Sequence, residues 1–203
     1  FLTGAIQVEN YINGLYMTLP SFSKFGLGVR SEEKNSDNIV AEVYDKRLNG
    51  ELLETGGGTA EWQNGYQNLR NVNYFFEYYK VPEAEETKDV LSLKGEAYFF
   101  RAYWHFYLLT RFGSIPVMDK FWDGNATVAG LQIPPRDRSA VAQFIIDDLK
   151  TAKNLLYSRS QYKGLRICKE AAIIMAMRVA LYEGTCCLLY TSPSPRDISG
   201  YRM

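Results

Sequence analysis

"GEAYFFRAYWHFYLLTRFGSIP", residues 95–116, decides the class of this protein. Eight of the fifteen residues from Tyr98 to Phe112 are aromatic, with Glu96, Arg101 and His105 close by or among them. Such a stretch serves as a bilayer span, as an aromatic platform for a ligand, or as a core helix packed on more than one side. Charges of both signs interrupt it, and no apolar run in the chain reaches the roughly 18–20 residues that a bilayer requires, so the first reading falls. At helical spacing, Leu93, Ala97, Phe100, Trp104 and Tyr107 line one stripe, and Phe99, Tyr103, Phe106 and Thr110 a second. Together they cover more than half the circumference, which predicts a central helix packed on two sides. Lys94, Tyr98, Arg101 and His105 form the remaining, more polar stripe. Gly95, Ala97 and Ala102 leave room for neighbouring backbones, Gly113 suits the position just past the end, and Pro116 follows where no helix continues. Phe100 and Trp104 are expected to be buried.

Other helices follow outward from this one. Val8, Ile12, Leu15 and Leu19 repeat at helical spacing over residues 5–19, and Pro20 ends the run. Residues 21–60 are polar and broken by Gly26, Gly28, Gly50 and Gly56–Gly58, which predicts a long loop. From Glu61, the residues Trp62, Tyr66, Leu69, Val72 and Phe76 mark a second helix. "VPEAEETKD" predicts the start of the third, its acids placed where the helix dipole favours them, and this helix runs to Phe112. Residues 114–136 form a second long loop. Asp137 is expected to cap a fourth helix with Ala142, Ile145, Leu149, Ala152 and Leu156 on one face. Residues 169–184 make a fifth that ends at Gly184. No stretch alternates with period two, so the fold class is all-α, built from helical pairs.

Composition narrows the partners. The 23 basic residues balance the 23 acidic ones, so no overall field draws the chain to nucleic acid or to anionic lipid. Tyr accounts for fifteen residues, and its ring with a polar tip suits wet grooves as well as cores.

Catalytic chemistry lacks its parts. His105 is the only His, so neither a His-based metal site nor a Ser-His or Cys-His system can be assembled around a second one. It reads as structural or solvent-facing. Cys168, Cys186 and Cys187 have no metal-ligand spacing. Asp147 and Asp148 are adjacent and diverge by about 100° on a helix, and Glu83, Glu85 and Glu86 read as helix-start charges rather than as a glycosidase pair. "ETGGGTAE" lacks the Gly-Lys-Ser/Thr of a phosphate loop. "DGNAT" opens like a calcium loop, but its twelfth position is Pro134. No enzyme activity, cofactor or metal is expected.

Four blocks, in order along residues 5–185, carry a family resemblance. "LKGEAYFFRAYWHFYLLTRFGSIPVMD" has the Glu-Ala, Arg-Ala-aromatic and Phe-Gly-x-x-Pro elements of a signature helix. "EWQNGYQNLRNVN", "PPRDRSAVAQFIIDDLKTAKNLL" and "GLRICKEAAIIMAMRVALYEGT" match its companions. The chain resembles the SusD/RagB family of surface glycan-binding lipoproteins. The resemblance implies a tetratricopeptide-like helical scaffold carrying long inserted loops, with no catalysis. It also implies a place on the outer face of the outer membrane, held by an N-terminal lipid anchor that this chain does not include. A SusC-like, TonB-dependent transporter would receive the glycan or other nutrient.

Sugar capture needs an aromatic face against the apolar side of a pyranose, ringed by amides and carboxylates. The resemblance directs attention to the loop after the first helix, where Tyr44 stands with Asn35, Asp37 and Asn38. Trp122, beside Phe121 and Asp123 in the other loop, is a second candidate. The plainer alternative is that Tyr44 and Trp122 pin their loops to the scaffold. Trp62, at a helix start, reads as core. A rival function is a helical-repeat scaffold that binds a peptide or protein partner; a neighbouring transporter gene would separate the two.

Residues 186–203, "CCLLYTSPSPRDISGYRM", depart from the family pattern. "LLYTSPSPRD" is similar to translated sequencing adapter, and this tail is expected to be non-native or disordered. The family domain is then 1–185. Family members are longer, so Ile173, Met177 and Leu181 are expected to present apolar surface that further helices would cover.

Overall fold

The computed structural model describes residues 2–19, 51, 60–122, 133–162 and 166–191, with side chains to 185. Six α-helices lie among them: α1 (Ala5–Tyr16), α2 (Ala60–Tyr78), α3 (Lys88–Phe112), α4 (Arg138–Leu155), α5 (Arg159–Tyr162) and α6 (Lys169–Thr191). No strand ladder occurs among the described residues; two isolated bridges, Leu2 with Tyr79 and Ile115 with Arg136, stitch segments to the helices. The class is all-α, as the periodicity requires.

Helix α3 is the hub. It packs against α1, α2 and α4, and α6 packs on α4 while its Tyr182 reaches the Phe106 ring and the Thr110 carbonyl of α3. Phe100 and Trp104 are buried at 0% and 3% exposure, so the aromatic run is core and the platform reading of this helix is excluded. Gly95 is required by close packing: a Cβ there would lie 2.9 Å from Leu155 Cβ and 3.3 Å from the carbonyl oxygen of Ala152, so α3 and α4 touch nearly backbone to backbone. Gly113 ends α3 at φ 74°, its N–H donating to the Leu109 carbonyl, in a conformation that favours glycine.

Four local expectations change. Of the acids of "VPEAEETKD", only Asp89 lies in the first turn of α3. Glu83–Glu85 form a separate 3₁₀ turn, and the helix restarts after Thr87, whose hydroxyl accepts the N–H of Val90. A side chain able to cap resets the helix start two residues beyond Glu86. Asp137 occupies the N-cap position of α4, but its side chain makes no capping bond; the Val141 N–H bonds to its carbonyl instead. The short α5 carried no periodic signal because it is a single turn, held by Ser158 N–H to Gln161 Oε1. Helix α6 continues past Gly184 to Thr191. A helix-interior glycine costs only about 1 kcal/mol, less than a continuing helix recovers. The rest of the tail, 192–203, lies outside the described residues.

The polar stripe of α3 is also packed. His105 is fully buried, and Arg101 lies against the rings of Phe76, Tyr98 and Phe144 while making a two-point pair with Asp148, both contacts at 2.7 Å. Burial pushes the Asp148 carboxyl up, and Arg101 pulls it back. On α6, Ile174, Met177 and Leu181 are each about two-thirds exposed, at 66%, 66% and 68%, and Ile173 at 37%; the apolar stripe foreseen there is open.

Candidate ligand-binding surface

Helix α2 sorts its residues by face. Leu69, Val72 and Phe75 point into the core, and Asn68 and Asn73 are buried with them. Gln63, Gln67, Arg70, Asn71, Tyr74, Glu77 and Tyr78 fall within about 120° of one another on the other side, at 100° per residue. This outward stripe is about 22 Å long at 1.5 Å per residue. Its first half offers amides, with Gln67 Nε2 donating to Asn71 Oδ1 at 3.3 Å. Its second half is aromatic.

There Tyr11 from α1 stacks on Tyr74, with centroids 5.8 Å apart and planes 16° from parallel. Tyr74 lies 4.3 Å from Tyr78, and the edge of Phe121 meets both, at 5.3 and 5.9 Å. Tyr78 is 37% exposed, so the cluster opens to solvent. The Tyr11 hydroxyl donates to the Asn71 carbonyl at 2.8 Å, and burial pushes its pKa up to about 12, so it remains a neutral donor. The Arg70 guanidinium lies 5.2 Å from the Phe121 centroid, and its Nε donates to the Trp122 carbonyl at 3.3 Å.

Phe121 and Trp122 follow a segment that is bolted down. The Ile115 carbonyl accepts Arg136 N–H, the Pro116 carbonyl accepts the Tyr66 hydroxyl, and the Met118 carbonyl accepts Asn73 Nδ2 at 2.8 Å. Arg101 Nη1 reaches the Asp119 carbonyl. Met118 N–H donates to His105 Nε2 at 3.2 Å, and His105 Nδ1 lies 2.9 Å from the Arg101 carbonyl. With Nε2 accepting, Nδ1 carries the proton and the ring is neutral. Burial, with Arg101 and Arg136 adding to it against the bond to the Arg101 carbonyl, lowers the His105 pKa to about 3. His105 is a fastener for the loop that carries the aromatic rim.

This fastener predicts acid sensitivity. The folded pKa lies below the unfolded value near 6.5, so the unfolded chain takes up the proton first as pH falls. His105 thus contributes stability that is intact above pH ~6.5 and declines toward pH ~3, by about 2 kcal/mol between pH 7 and 5. The raised carboxyls of Glu96 and Asp148 act in the opposite sense. Comparing urea unfolding of the wild type and His105→Asn at both pH values isolates the imidazole. Equal slopes in the two proteins would refute the assignment.

Of the site residues expected from sequence, Trp122 is half-buried beside this cluster, its carbonyl holding Arg70. Tyr44, Asn35, Asp37 and Asn38 lie outside the described residues. Trp62 packs on Tyr66 and Phe112 at 4.7 and 5.0 Å, as a scaffold residue would. The α2 stripe was not singled out from sequence. Its i, i+4, i+8 run from Gln63 to Asn71 and its Arg70, Tyr74, Tyr78 series could have disclosed it. Among the described residues no group of His, Cys, Asp or Glu is placed to hold a metal ion, and no helix is long and apolar enough to cross a membrane.

An α-helical scaffold with an outward face of amides and stacked rings belongs to the class of binding proteins, and comparison with known proteins gives the family. The SusD-like family, described as starch-binding and associating with the outer membrane, matches residues 5–181. The chain belongs to that family. A SusD-like protein from Bacteroides fragilis superposes with a TM-score of 0.74 at 26% identity, over 94% of this chain and 39% of that one. A laminarin-binding SusD-like protein (TM-score 0.70, 18% identity) aligns over 90% of this chain and 41% of its own. Surface glycan-binding protein A from Bacteroides uniformis (TM-score 0.67, 16% identity) aligns over 93% and 46%. The chain shares the tetratricopeptide-like helical fold of these relatives and spans less than half the length of each. No curated protein matches it.

Proposed function

We propose that this chain forms part of a non-catalytic glycan-binding site at the cell surface, from which ligand passes to a SusC-like, TonB-dependent transporter. The observation that carries the reading is the α2 stripe, where exposed amides lead into the Tyr11, Tyr74, Tyr78 and Phe121 cluster. Rings take the C–H face of a pyranose, and each amide presents a donor beside an acceptor, which matches vicinal hydroxyls. Trp122 belongs to this wall, and Tyr44 with Asn35, Asp37 and Asn38 forms a second wall from the preceding loop. The family's association with the outer membrane supports a location there. A lipid anchor and an outward orientation complete the proposal, with residues 1–185 as the binding domain and 186–203 outside it.

Tyr74→Ala and Trp122→Ala are each expected to weaken binding of an oligosaccharide by about 1–2 kcal/mol, roughly 5- to 30-fold, and to leave it chemically unmodified. Calorimetric titration across a glycan panel, with circular dichroism to verify the helices, measures this. Unchanged affinity in both variants would remove the stripe from the site. A protein that binds peptides but no glycan would establish the rival scaffold reading.

A further inference from the structure

We propose that the sugar bound on the α2 stripe is acidic, a hexuronate whose carboxylate pairs with Arg70; this inference rests on the glycan-binding reading above. Arg70 is exposed, yet its head group is held. Phe121 lies against it at 5.2 Å, and the Trp122 carbonyl accepts its Nε at 3.3 Å. Those two contacts leave the two terminal nitrogens, and these have no partner among the described residues. Three other arginines are engaged with carboxylates: Arg101 with Asp148, Arg138 with Glu183, Arg166 with Glu96. Arg70 instead holds its free edge beside the ring cluster, one turn from Tyr74.

Neutral sugar hydroxyls are already matched by Gln67 and Asn71, and a neutral ligand would gain little from a fixed cation. A planar guanidinium edge with two adjacent N–H donors matches the two oxygens of a carboxylate. Because the ring and the backbone carbonyl already orient Arg70, less side-chain freedom is lost on binding. Among the described residues, the charges of the same face and the adjoining segment are Glu77, two turns along, and Asp119 and Lys120, all exposed. None of these three bonds to Arg70. A pyranose stacked on the exposed Tyr78 would bring the carboxylate at C6 to the edge of the ring cluster, where the guanidinium stands.

The test uses oligogalacturonate and oligoglucuronate, their methyl esters, and a neutral oligosaccharide, each titrated into the wild type, Arg70→Gln and Arg70→Lys. The free acids are expected to bind at least about tenfold more tightly than the esters, with the preference weakening as salt rises. Arg70→Gln should abolish the preference, so that acid and ester bind alike, with the helical spectrum unchanged, and Arg70→Lys should restore only part, since it lacks the fork. Equal binding of acid and ester by the wild type, or a preference that survives in Arg70→Gln, overturns the acidic-sugar inference and leaves the glycan reading standing. Absence of binding to every oligosaccharide overturns both.

Discussion

Glu96→Ala is expected to cost about 3–5 kcal/mol, a large part of the stability of a domain of this size. The Glu96 carboxylate is fully buried at the middle of α3. It accepts Arg166 Nε and Nη2 at 2.8 and 2.9 Å and the Tyr16 hydroxyl at 2.8 Å. The Tyr16 oxygen in turn accepts the Ile167 N–H, and Arg166 Nη1 reaches Asn13 Oδ1. One carboxylate therefore ties the end of α1 and the segment before α6 to α3. Burial pushes the Glu96 carboxyl up, and Arg166 and Tyr16 oppose it. Removing the acid leaves a guanidinium whose side chain is only 19% exposed with Asn13 and the more distant, exposed Glu9 carboxylate at 3.6 Å. That loss, rather than the strength of the pair, sets the magnitude. Glu96→Leu with Arg166→Met should recover much of it, because neither charge is then left without its partner. Denaturant unfolding measures all three proteins, and a loss below about 1 kcal/mol for Glu96→Ala would show the network to be dispensable.

Trp104→Ala is expected to cost a similar amount, about 3–5 kcal/mol, by opening a cavity in the core. Trp104 is 3% exposed and meets Tyr103 and Tyr107 edge to face, at 5.3 and 5.1 Å. Its indole N–H is buried with no hydrogen-bond partner among the described residues. That orphan donor carries a desolvation cost that Phe would not, so Trp104→Phe should lose clearly less than Trp104→Ala. A Trp104→Phe variant as unstable as Trp104→Ala would point to an unseen partner for the indole nitrogen.

The contrast between α3 and α2 shows why the scaffold was more legible than the site. Core helices advertise themselves by period: Leu93, Ala97, Phe100 and Trp104 recur at one face whatever the neighbours do. A binding face has no such compulsion. The amides and rings of α2 read as an ordinary solvated side until Tyr11 and Phe121, distant in sequence, are brought beside Tyr74. His105 shows the same limit. Its stripe looks half-polar in sequence, and only the return of residues 115–119 over α3 encloses it and makes its neutral tautomer a structural requirement.

The sequence by itself determined the all-α class, the central place of the helix ending at Phe112, the break at Gly113 and the family. The first three depend on patterns within a few turns of one chain segment, and the family on four such segments in order. Tertiary structure alone decided that Glu96 meets Arg166, that Arg101 meets Asp148, and that Arg70 lies against Phe121 beside a ring cluster. Partners in those contacts are 70, 47 and, for Arg70 and Phe121, 51 residues apart in sequence. Local periodicity specifies which way a side chain points from its own helix, but not which distant group waits there, because that depends on how the helices pack.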